Sequence, residues 1–158
     1  MSVEQRYNDN SGTSGAVTVR EALPEDAAAL SGICVNEMGY ECTEALVFTK
    51  LQGLRPDREC VYIAACGDSI AGFVHVEKYD VLYFETMANI LGLAVRSDCQ
   101  RRGIGSALLR AAEDWARARG ISVMRLNSGA GRAGAHAFYR DQGYTAGKEQ
   151  LRFLKTLE

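Results

Sequence analysis

A glycine bend between an apolar run and an amphipathic segment constrains the fold of this chain more than any other feature. Residues 90–95 are apolar, and residues 100–106 read Gln-Arg-Arg-Gly-Ile-Gly-Ser. The pattern predicts a strand, a tight turn and then a long helix with one buried stripe. We expect Gly103 and Gly105 to adopt positive φ and to let a ligand approach the backbone closely. The predicted stripe comprises Ile104, Leu108, Ala111, Trp115 and Ala118.

The start of a helix directly after a glycine bend is a natural site for an anion. The N–H groups of a first helical turn have no acceptor within the helix, and the macrodipole adds about half a positive charge there. Arg101 and Arg102 lie beside these groups in the sequence. We therefore expect a phosphate or a pyrophosphate to bind at this turn.

Two other phosphate-binding patterns fit the sequence less well. A P-loop needs a lysine at the end of G-x-x-x-x-G-K-[ST], and no lysine follows that spacing here. Residues 129–134 match the dinucleotide pattern G-x-G-x-x-G, but the 24 residues after Gly134 are too few for the rest of such a fold. The alternative for residues 129–134 is a flexible loop between a strand and a helix.

Composition excludes several classes of protein. The net charge is −2, whereas nucleic-acid-binding proteins usually carry a basic excess. No apolar run approaches the ~20 residues that span a bilayer, and residues 1–15 lack the apolar centre of a signal peptide. Five cysteines without a C-x-x-C pair and two histidines argue against a zinc site and for reduced thiols. We expect a cytoplasmic protein with no metal, no membrane contact and no nucleic-acid partner.

The order of predicted elements indicates a layered α/β or α+β domain with a mixed sheet. Residues 1–15 are polar and include Ser-Gly-Thr-Ser-Gly, so we predict a flexible N-terminal tail before one domain over residues 16–158. Hydrophobic patterns and turn signals in that domain predict the order β-α-α-β-β-β-α-β-α-β, with a last strand at residues 151–157.

Three segments occur in an order that is typical of one enzyme family. Residues 100–105 fit Q/R-x-x-G-x-G/A, residues 135–139 read Ala-His-Ala-Phe-Tyr, and Gly143-Tyr144 follows them. With these motifs, residues 17–157 resemble the Gcn5-related N-acetyltransferases (GNAT). Within that family, residues 125–157 resemble the small-molecule branch that includes aminoalkylphosphonate N-acetyltransferases.

The resemblance implies a fold, an activity and a cosubstrate. The implied fold is a central, mostly antiparallel, twisted mixed sheet flanked by about four helices and splayed between the strands before and after the long helix. The implied enzyme transfers an acetyl group from acetyl-CoA to a primary amine of a small molecule, by direct attack in a ternary complex and without a metal.

The resemblance also implies which residues bind coenzyme A. The glycine turn would hold the pyrophosphate, and the strand before it would pair with the pantetheine arm and polarise the thioester carbonyl. A donor aimed at the developing oxyanion is worth roughly 3–4 kcal/mol. Asn127 fits equally well as an Asx turn that starts a loop. The implied cofactor residues are Leu93, Ala94, Val95, Gln100, Arg101, Arg102, Gly103, Ile104, Gly105, Ser106, Asn127, His136 and Tyr139.

The catalytic groups are harder to assign. Tyr139 is the implied general acid on the departing thiolate, although it could instead be a core aromatic residue of the last helix. Many relatives carry a glutamate base at the position of Asn89, and asparagine cannot accept a proton. Glu85 acting through water and His75 on the neighbouring strand are the remaining candidates. Because no base accompanies Cys99, we expect no acetyl-cysteine intermediate.

Other functions and the identity of the acceptor stay open. A CoA-binding regulatory module with weak turnover, or an N-acetyltransferase of proteins or peptides, fits the same motifs. Glu37, Glu41 and Glu44 would favour a cationic amine, whereas Arg55 and Arg58 would favour a phosphonate or a carboxylate. By fold analogy, a homodimer could form through strand exchange or edge pairing near the C-terminus.

Overall fold

A single mixed sheet organises the first part of the chain. The computed structural model describes the backbone of residues 5–7 and the whole of residues 16–158. The chain divides into two compact units, Met1–Leu126 and Asn127–Glu158. The six strands pair in sequence order, antiparallel except for the parallel last pair. They are β1 Gln5–Tyr7, β2 Val17–Glu21, β3 Glu59–Cys66, β4 Ser69–Tyr79, β5 Met87–Val95 and β6 Met124–Leu126.

Three helices belong to the first unit and one to the second. They are α1 Ala27–Met38, α2 Glu44–Gln52, α3 Ile104–Arg117 and, in the second unit, α4 Ala133–Asp141. The prediction of a mixed, mostly antiparallel sheet with about four helices is confirmed. None of the helices within the described residues is both long enough and apolar enough to cross a membrane.

The sheet of the first unit is covered on both faces. Alternate residues of a strand point to opposite faces. On one face, Val61, Ile63 and Phe73 pack with α1 and α2 in one apolar cluster. The other face packs against α3, whose Ile104, Leu108, Ala111 and Trp115 are at most 4% exposed. The predicted stripe ends earlier than expected, because α3 stops at Arg117 and leaves Ala118 exposed.

Gly72 allows β4 and β5 to approach closely beneath α3. A Cβ at this position would lie 2.6 Å from the carbonyl oxygen of Ala94 and 3.2 Å from Leu108 Cδ1. No real side chain tolerates the first distance, because the obstacle is backbone. The spacing between β4 and the second half of β5 therefore depends on a residue without a side chain.

The splay expected between β5 and β6 is present. The two strands pair only from Ala88 to Ile90, opposite Met124 to Leu126. Within the described residues, no strand pairs with β5 on that side beyond Ile90. The pairing of β4 with β5 also shifts by one residue, so that Leu91 is an extra, bulged residue. The open half of β5 thus begins at a β-bulge, a feature over-represented next to active sites.

The two ends of the chain differ in whether they join the sheet. Gln5–Tyr7 pairs with β2 as an edge strand, while residues 1–4 and 8–15 lie outside the described residues, so the flexible tail stays a prediction there. The predicted strand at residues 151–157 is wrong: no strand forms, and its apolar side chains are 80–86% exposed. Apolar residues recur along this segment, but a strand also needs a neighbouring strand with which to pair.

Candidate active site

The turn between β5 and α3 is held in a left-handed conformation. Gly103 is the N-cap of α3 with φ 76°, and Arg101 has φ 64°. Arg101 is the one non-glycine residue with positive φ among the described residues, a conformation that costs about 1–2 kcal/mol. The prediction for Gly105 is wrong, because this residue already lies in the helical first turn of α3.

The same turn has the electrostatic character of an anion site. The first helical hydrogen bond of α3 runs from the Ala107 N–H to the Gly103 carbonyl at 3.0 Å, so the N–H groups of Ile104 and Gly105 precede it. The glycine cap offers no side-chain acceptor, and no acidic residue lies in the first turn. Arg101 and Arg102 are exposed beside it.

The acidic residues near the turn are engaged by other groups. Asp98 accepts hydrogen bonds from Arg96 at 2.6 and 3.0 Å, which hold the pKa of its carboxyl below the usual range. Glu37 of α1 accepts from the Ser97 N–H at 3.0 Å and thereby ties α1 to the segment that follows β5. Burial raises the pKa of the Cys99 thiol, which therefore stays protonated and is unsuited to nucleophilic attack.

The open half of β5 is followed by a short 3-10 turn, Ser97–Cys99, and then by the glycine turn. Leu93, Ala94 and Val95 pair with β4 on one side and are half-buried. Their other side is the edge from which β6 has diverged, so an extended ligand could add there as a strand would. Next to this edge, a Cβ at Gly92 would lie 3.5 Å from the Phe73 ring and 3.8 Å from the Met38 tip, so this part of the face is apolar.

His75 lies on β4 at the point where the open half of β5 begins. Its register partner is Gly92, the first paired residue after the bulge. Its Nε2 lies 2.9 Å from Glu59 Oε1, and the Arg55 Nε–H donates to Glu59 Oε2 at 3.0 Å. Burial acts to raise the pKa of Glu59, but these two hydrogen bonds outweigh it, so the pKa lies below its usual range. The His75 side chain remains 28% exposed.

A row of four polar residues crosses the sheet beside His75. In register, Glu59 faces Glu77, Glu77 faces Asn89, and Asn89 faces Arg125, one residue from each of β3 to β6. We call these four residues the polar row. Asn89 is 8% exposed; its Nδ2 donates to Glu77 Oε1 at 3.2 Å, and its Oδ1 accepts from Arg125 at 2.8 Å.

Sequence reasoning had not identified Glu59, Glu77 or Arg125. Their proximity follows from strand register, which depends on the loop of residues 80–86 and on the bulge at Leu91. No local motif announces either feature. Glu77 could have been paired with Asn89 from the sequence only if the last residue of β4 and the first residue of β5 had been known.

Glu85 lies at the other end of β5. It is exposed and lines an open polar depression of about 360 Å³ together with Arg58, Asp80 and Arg119. The residues that line it include those just after the end of β4 and those just after the end of α3. At about 3.3 Å per residue, roughly 26 Å of strand separates Met87 from Val95. The structure therefore brings Glu85 together with neither the glycine turn nor His75.

The second unit carries the remaining predicted residues, described by themselves. Burial raises the pKa of Tyr139, and the charge of Arg132 offsets only part of this rise. The phenol of Tyr139 therefore keeps its proton. The Tyr139 ring packs against Phe138 and Tyr144, with centroids 5.3 and 6.0 Å apart. His136 Nε2 donates to the Gly129 carbonyl at 2.9 Å. Asn127 is the first residue of this unit.

The loop at residues 129–134 lacks the packing of a dinucleotide site. In such a site, the glycines permit a tight turn and close contact between helix and strand. Here a Cβ at Gly131 or Gly134 would meet no atom of the described residues within 4 Å, and neither glycine has positive φ. The glycines therefore serve no such contact.

Comparison with known proteins gives consistent results. The sequence profile described as the acetyltransferase (GNAT) family matches residues 17–144. A curated relative, "Uncharacterized N-acetyltransferase YhdJ" of Bacillus subtilis (strain 168), is 42% identical over 57 residues, which are 35% of this chain and 40% of the relative. The matched stretch thus spans less than half of that relative.

Solved structures of similar fold cover nearly the whole chain. A transcriptional regulator from Bacillus halodurans C-125 superposes with a TM-score of 0.78 at 23% identity, covering 88% of this chain and 99% of that one. AAC(6')-Iy in complex with the bisubstrate analogue CoA-S-monomethyl-acetylneamine gives 0.77 at 14% identity, covering 89% and 99%. At these identities the likeness establishes the fold.

Proposed function

The chain belongs to the acetyltransferase (GNAT) family, and we propose that it transfers an acetyl group from acetyl-CoA to a primary amine of a small molecule. One observation carries the proposal: the open edge of β5 is followed, after the short 3-10 turn Ser97–Cys99, by the glycine turn that begins α3. An extended acyl carrier ending in a diphosphate needs an unpaired strand edge followed by a cluster of N–H donors, and these lie here in that order.

The proposed contacts follow from this arrangement. The pyrophosphate would be held by the turn of residues 100–106, where the first-turn N–H groups and two arginines favour negative charge. The pantetheine arm would pair with Leu93, Ala94 and Val95, as an added strand pairs. Asn127, His136 and Tyr139 join the proposed cofactor site by family resemblance.

Direct transfer in a ternary complex is the proposed mechanism. An amine with a pKa near 10 is neutral in only about one molecule in a thousand at pH 7, a deficit of roughly 4 kcal/mol. His75 is the proposed acceptor of the amine proton, and the neutral phenol of Tyr139 is the proposed donor to the departing thiolate. The raised pKa of Cys99 disfavours an acetyl-cysteine pathway.

A cationic acceptor is favoured over an anionic one. Arg55 is engaged with Glu59, and Arg58 with Asp80 at 3.1 Å, so these two arginines already have carboxylate partners. Glu41 lies between α1 and α2, and Glu44 is the first residue of α2; both side chains are exposed. These two helices cover the face of the sheet that carries His75. We therefore propose an acceptor with more than one amine, the class to which aminoglycosides and polyamines belong.

Calorimetry and an acceptor screen test the function separately. Titration of purified protein with CoA and acetyl-CoA should give one site per chain. Thiol release should then be measured with amino acids, polyamines, aminoglycosides, aminophosphonates and short peptides, and we expect turnover with polyamines or aminoglycosides. No association at millimolar acetyl-CoA would contradict the proposal. Binding without turnover would identify a regulatory module instead, and turnover confined to peptides would identify a protein acetyltransferase.

Tyr139→Phe tests the proposed general acid. Since a thiol with a pKa around 8.5 is already a fair leaving group, we expect kcat to fall about 100-fold, at the low end of general-acid effects, with the Kd of acetyl-CoA nearly unchanged. Tyr144→Phe is the matched control, because it removes the hydroxyl of the neighbouring ring. Equal kcat for Tyr139→Phe and wild type at saturating substrates would refute the assignment.

A homodimer is proposed from the exposed C-terminal segment. Leu151, Phe153, Leu154 and Leu157 are 80–86% exposed, and an exposed apolar patch commonly marks a protein–protein contact. Light scattering should give twice the chain mass for the whole protein and a lower mass after truncation at Gly147. An unchanged mass would exclude this segment as the contact.

The free cysteines of the described residues agree with a reducing cytoplasm.

A further inference from the structure

The position that holds the base in many relatives is closed in this chain. Asn89 is buried, and both ends of its amide are occupied, by Glu77 on one side and Arg125 on the other. The Arg125 guanidinium also stacks 4.1 Å from the Tyr79 ring centroid, which fixes it in place. An amide does not accept a proton near neutral pH, so Asn89 is not the base.

We propose that Glu59 is a positioning residue that holds His75 in the tautomer able to accept the amine proton. The inference rests on the proposed acetyl transfer. Glu59 lies at the start of β3 and His75 on β4, and the two side chains meet at 2.9 Å across the strands. His75 in turn lies opposite Gly92, where the open half of β5 begins.

The hydrogen bond determines which ring nitrogen carries the proton. An ionised carboxylate can only accept, so the proton of neutral His75 lies on Nε2, and Nδ1 keeps its lone pair. Arg55 donates to the second oxygen of Glu59 at 3.0 Å and favours its ionised form. Glu59 therefore offers His75 a fixed, negatively charged acceptor.

The proton and charge balance of the step is simple. The ammonium form of the acceptor first loses one proton to water; the lone pair of the neutral amine then attacks the thioester carbonyl carbon, and the N–H proton lost on attack moves to His75 Nδ1. The imidazolium so formed is stabilised by the carboxylate of Glu59. The carbon–sulfur bond then breaks, the thiolate takes a proton from Tyr139, and the two groups exchange protons with water before the next turnover.

The kinetic test separates positioning from structural support. Glu59→Gln should lower kcat about 10- to 100-fold while the Kd of CoA stays within twofold, and Glu59→Asp should recover part of the loss. Glu113→Gln is the matched control, because it also removes a carboxylate paired with an arginine and should stay within twofold in kcat. The double variant His75→Gln with Glu59→Gln should be no slower than His75→Gln alone, because Glu59 acts only through His75.

A spectroscopic readout is independent of turnover. The chain has two histidines, so ¹⁵N spectra of the rings are assigned by comparison with His75→Gln. In wild type above neutral pH, His75 should show a protonated Nε2 and an unprotonated Nδ1, and Glu59→Gln should give a mixture of tautomers. A protonated Nδ1 in wild type would overturn the inference.

The outcomes distinguish this inference from the function on which it rests. An active wild-type enzyme whose kcat survives Glu59→Gln within twofold would overturn the positioning role alone. A double variant much slower than His75→Gln would do the same, because Glu59 would then act by another route. A wild-type protein that transfers no acetyl group to any amine would overturn the proposed function.

Discussion

The glycine turn before α3 and the polar row across β3 to β6 belong to the same unit but are built in opposite ways. The turn consists of seven consecutive residues, and its chemistry comes mainly from backbone N–H groups in a conformation that Gly103 makes accessible. The polar row consists of one side chain from each of four strands; hydrogen bonds join Glu77, Asn89 and Arg125, and Glu59 faces Glu77 in register. The turn is therefore encoded locally, whereas the row exists only once the sheet has formed.

This difference has a consequence for mutation. A change in the turn should weaken binding beyond any loss of stability, because exposed backbone donors contribute little to the core. A change in the row should affect stability and turnover without affecting binding. Four measurements test this division, from the largest expected effect to the smallest.

Gly103→Val should abolish most CoA binding. A β-branched residue at φ 76° is strained and would rotate the first-turn N–H groups away from a diphosphate. We expect the Kd of CoA to rise at least 100-fold by calorimetry. Gly67→Val is the matched control, with φ 64° and open space in the β3–β4 turn, and should lose similar stability with an unchanged Kd. If Gly103→Val binds CoA as tightly as Gly67→Val does, the turn at Gly103 does not hold the diphosphate.

Asn89→Ala should mainly destabilise the fold. Removing a buried amide leaves Glu77 and Arg125 without one partner each, at a cost of about 2 kcal/mol. Denaturant unfolding should show this loss, while the Kd of CoA stays within twofold. The exposed Asn36 of α1 offers a control, since Asn36→Ala should be neutral in stability. If the Kd of CoA rises as much in Asn89→Ala as in Gly103→Val, the turn and the row do not have separate roles in binding and stability.

The double variant Arg101→Ala with Arg102→Ala should weaken CoA binding about tenfold. Both side chains are exposed, so each contributes a modest, salt-screened attraction to phosphate. Titrations at two salt concentrations should show a smaller salt dependence than in wild type. Arg117→Ala is the control, because it removes a guanidinium from the other end of α3. An unchanged salt dependence would place the diphosphate elsewhere.

Acid should expose the contribution of Glu59 to stability. Its pKa is below the usual value in the folded state, so the unfolded chain binds the proton more tightly in mild acid. The stabilisation is therefore present near neutral pH and is lost as the pH falls through the folded pKa. As the pH falls below 4.5, the ordinary pKa of a glutamate, the Tm of wild type should fall more than that of Glu59→Gln. Parallel Tm curves would show that the carboxylate contributes nothing.

Local patterns predicted the local part of this molecule well. The β5–turn–α3 segment and the mixed sheet are as expected, and the GNAT assignment is confirmed, although no comparison singles out the aminoalkylphosphonate branch. The β5–turn–α3 segment arises within about 30 consecutive residues, where hydrophobic period and glycine placement determine the structure.

The features that sequence reasoning missed depend on distant partners. Glu59 and His75 are 16 residues apart, and Asn89 and Arg125 are 36 apart. Their contacts follow from register, which a single bulged residue changes. The strand predicted at residues 151–157 failed for a related reason, because alternation of apolar residues does not supply the neighbouring strand. Chemistry dispersed over several strands therefore had to await the structure.

The bulge at Leu91 is an insertion that the sheet itself could do without. Val76 faces Ile90 and His75 faces Gly92, so a chain lacking only Leu91 would keep every neighbour of β4 and regain an even ladder. The extra residue lengthens β5 by one backbone unit at the place where β6 departs. That added backbone unit lies where the unpaired edge of β5 begins, and deletion of Leu91 would test whether the unpaired edge depends on it.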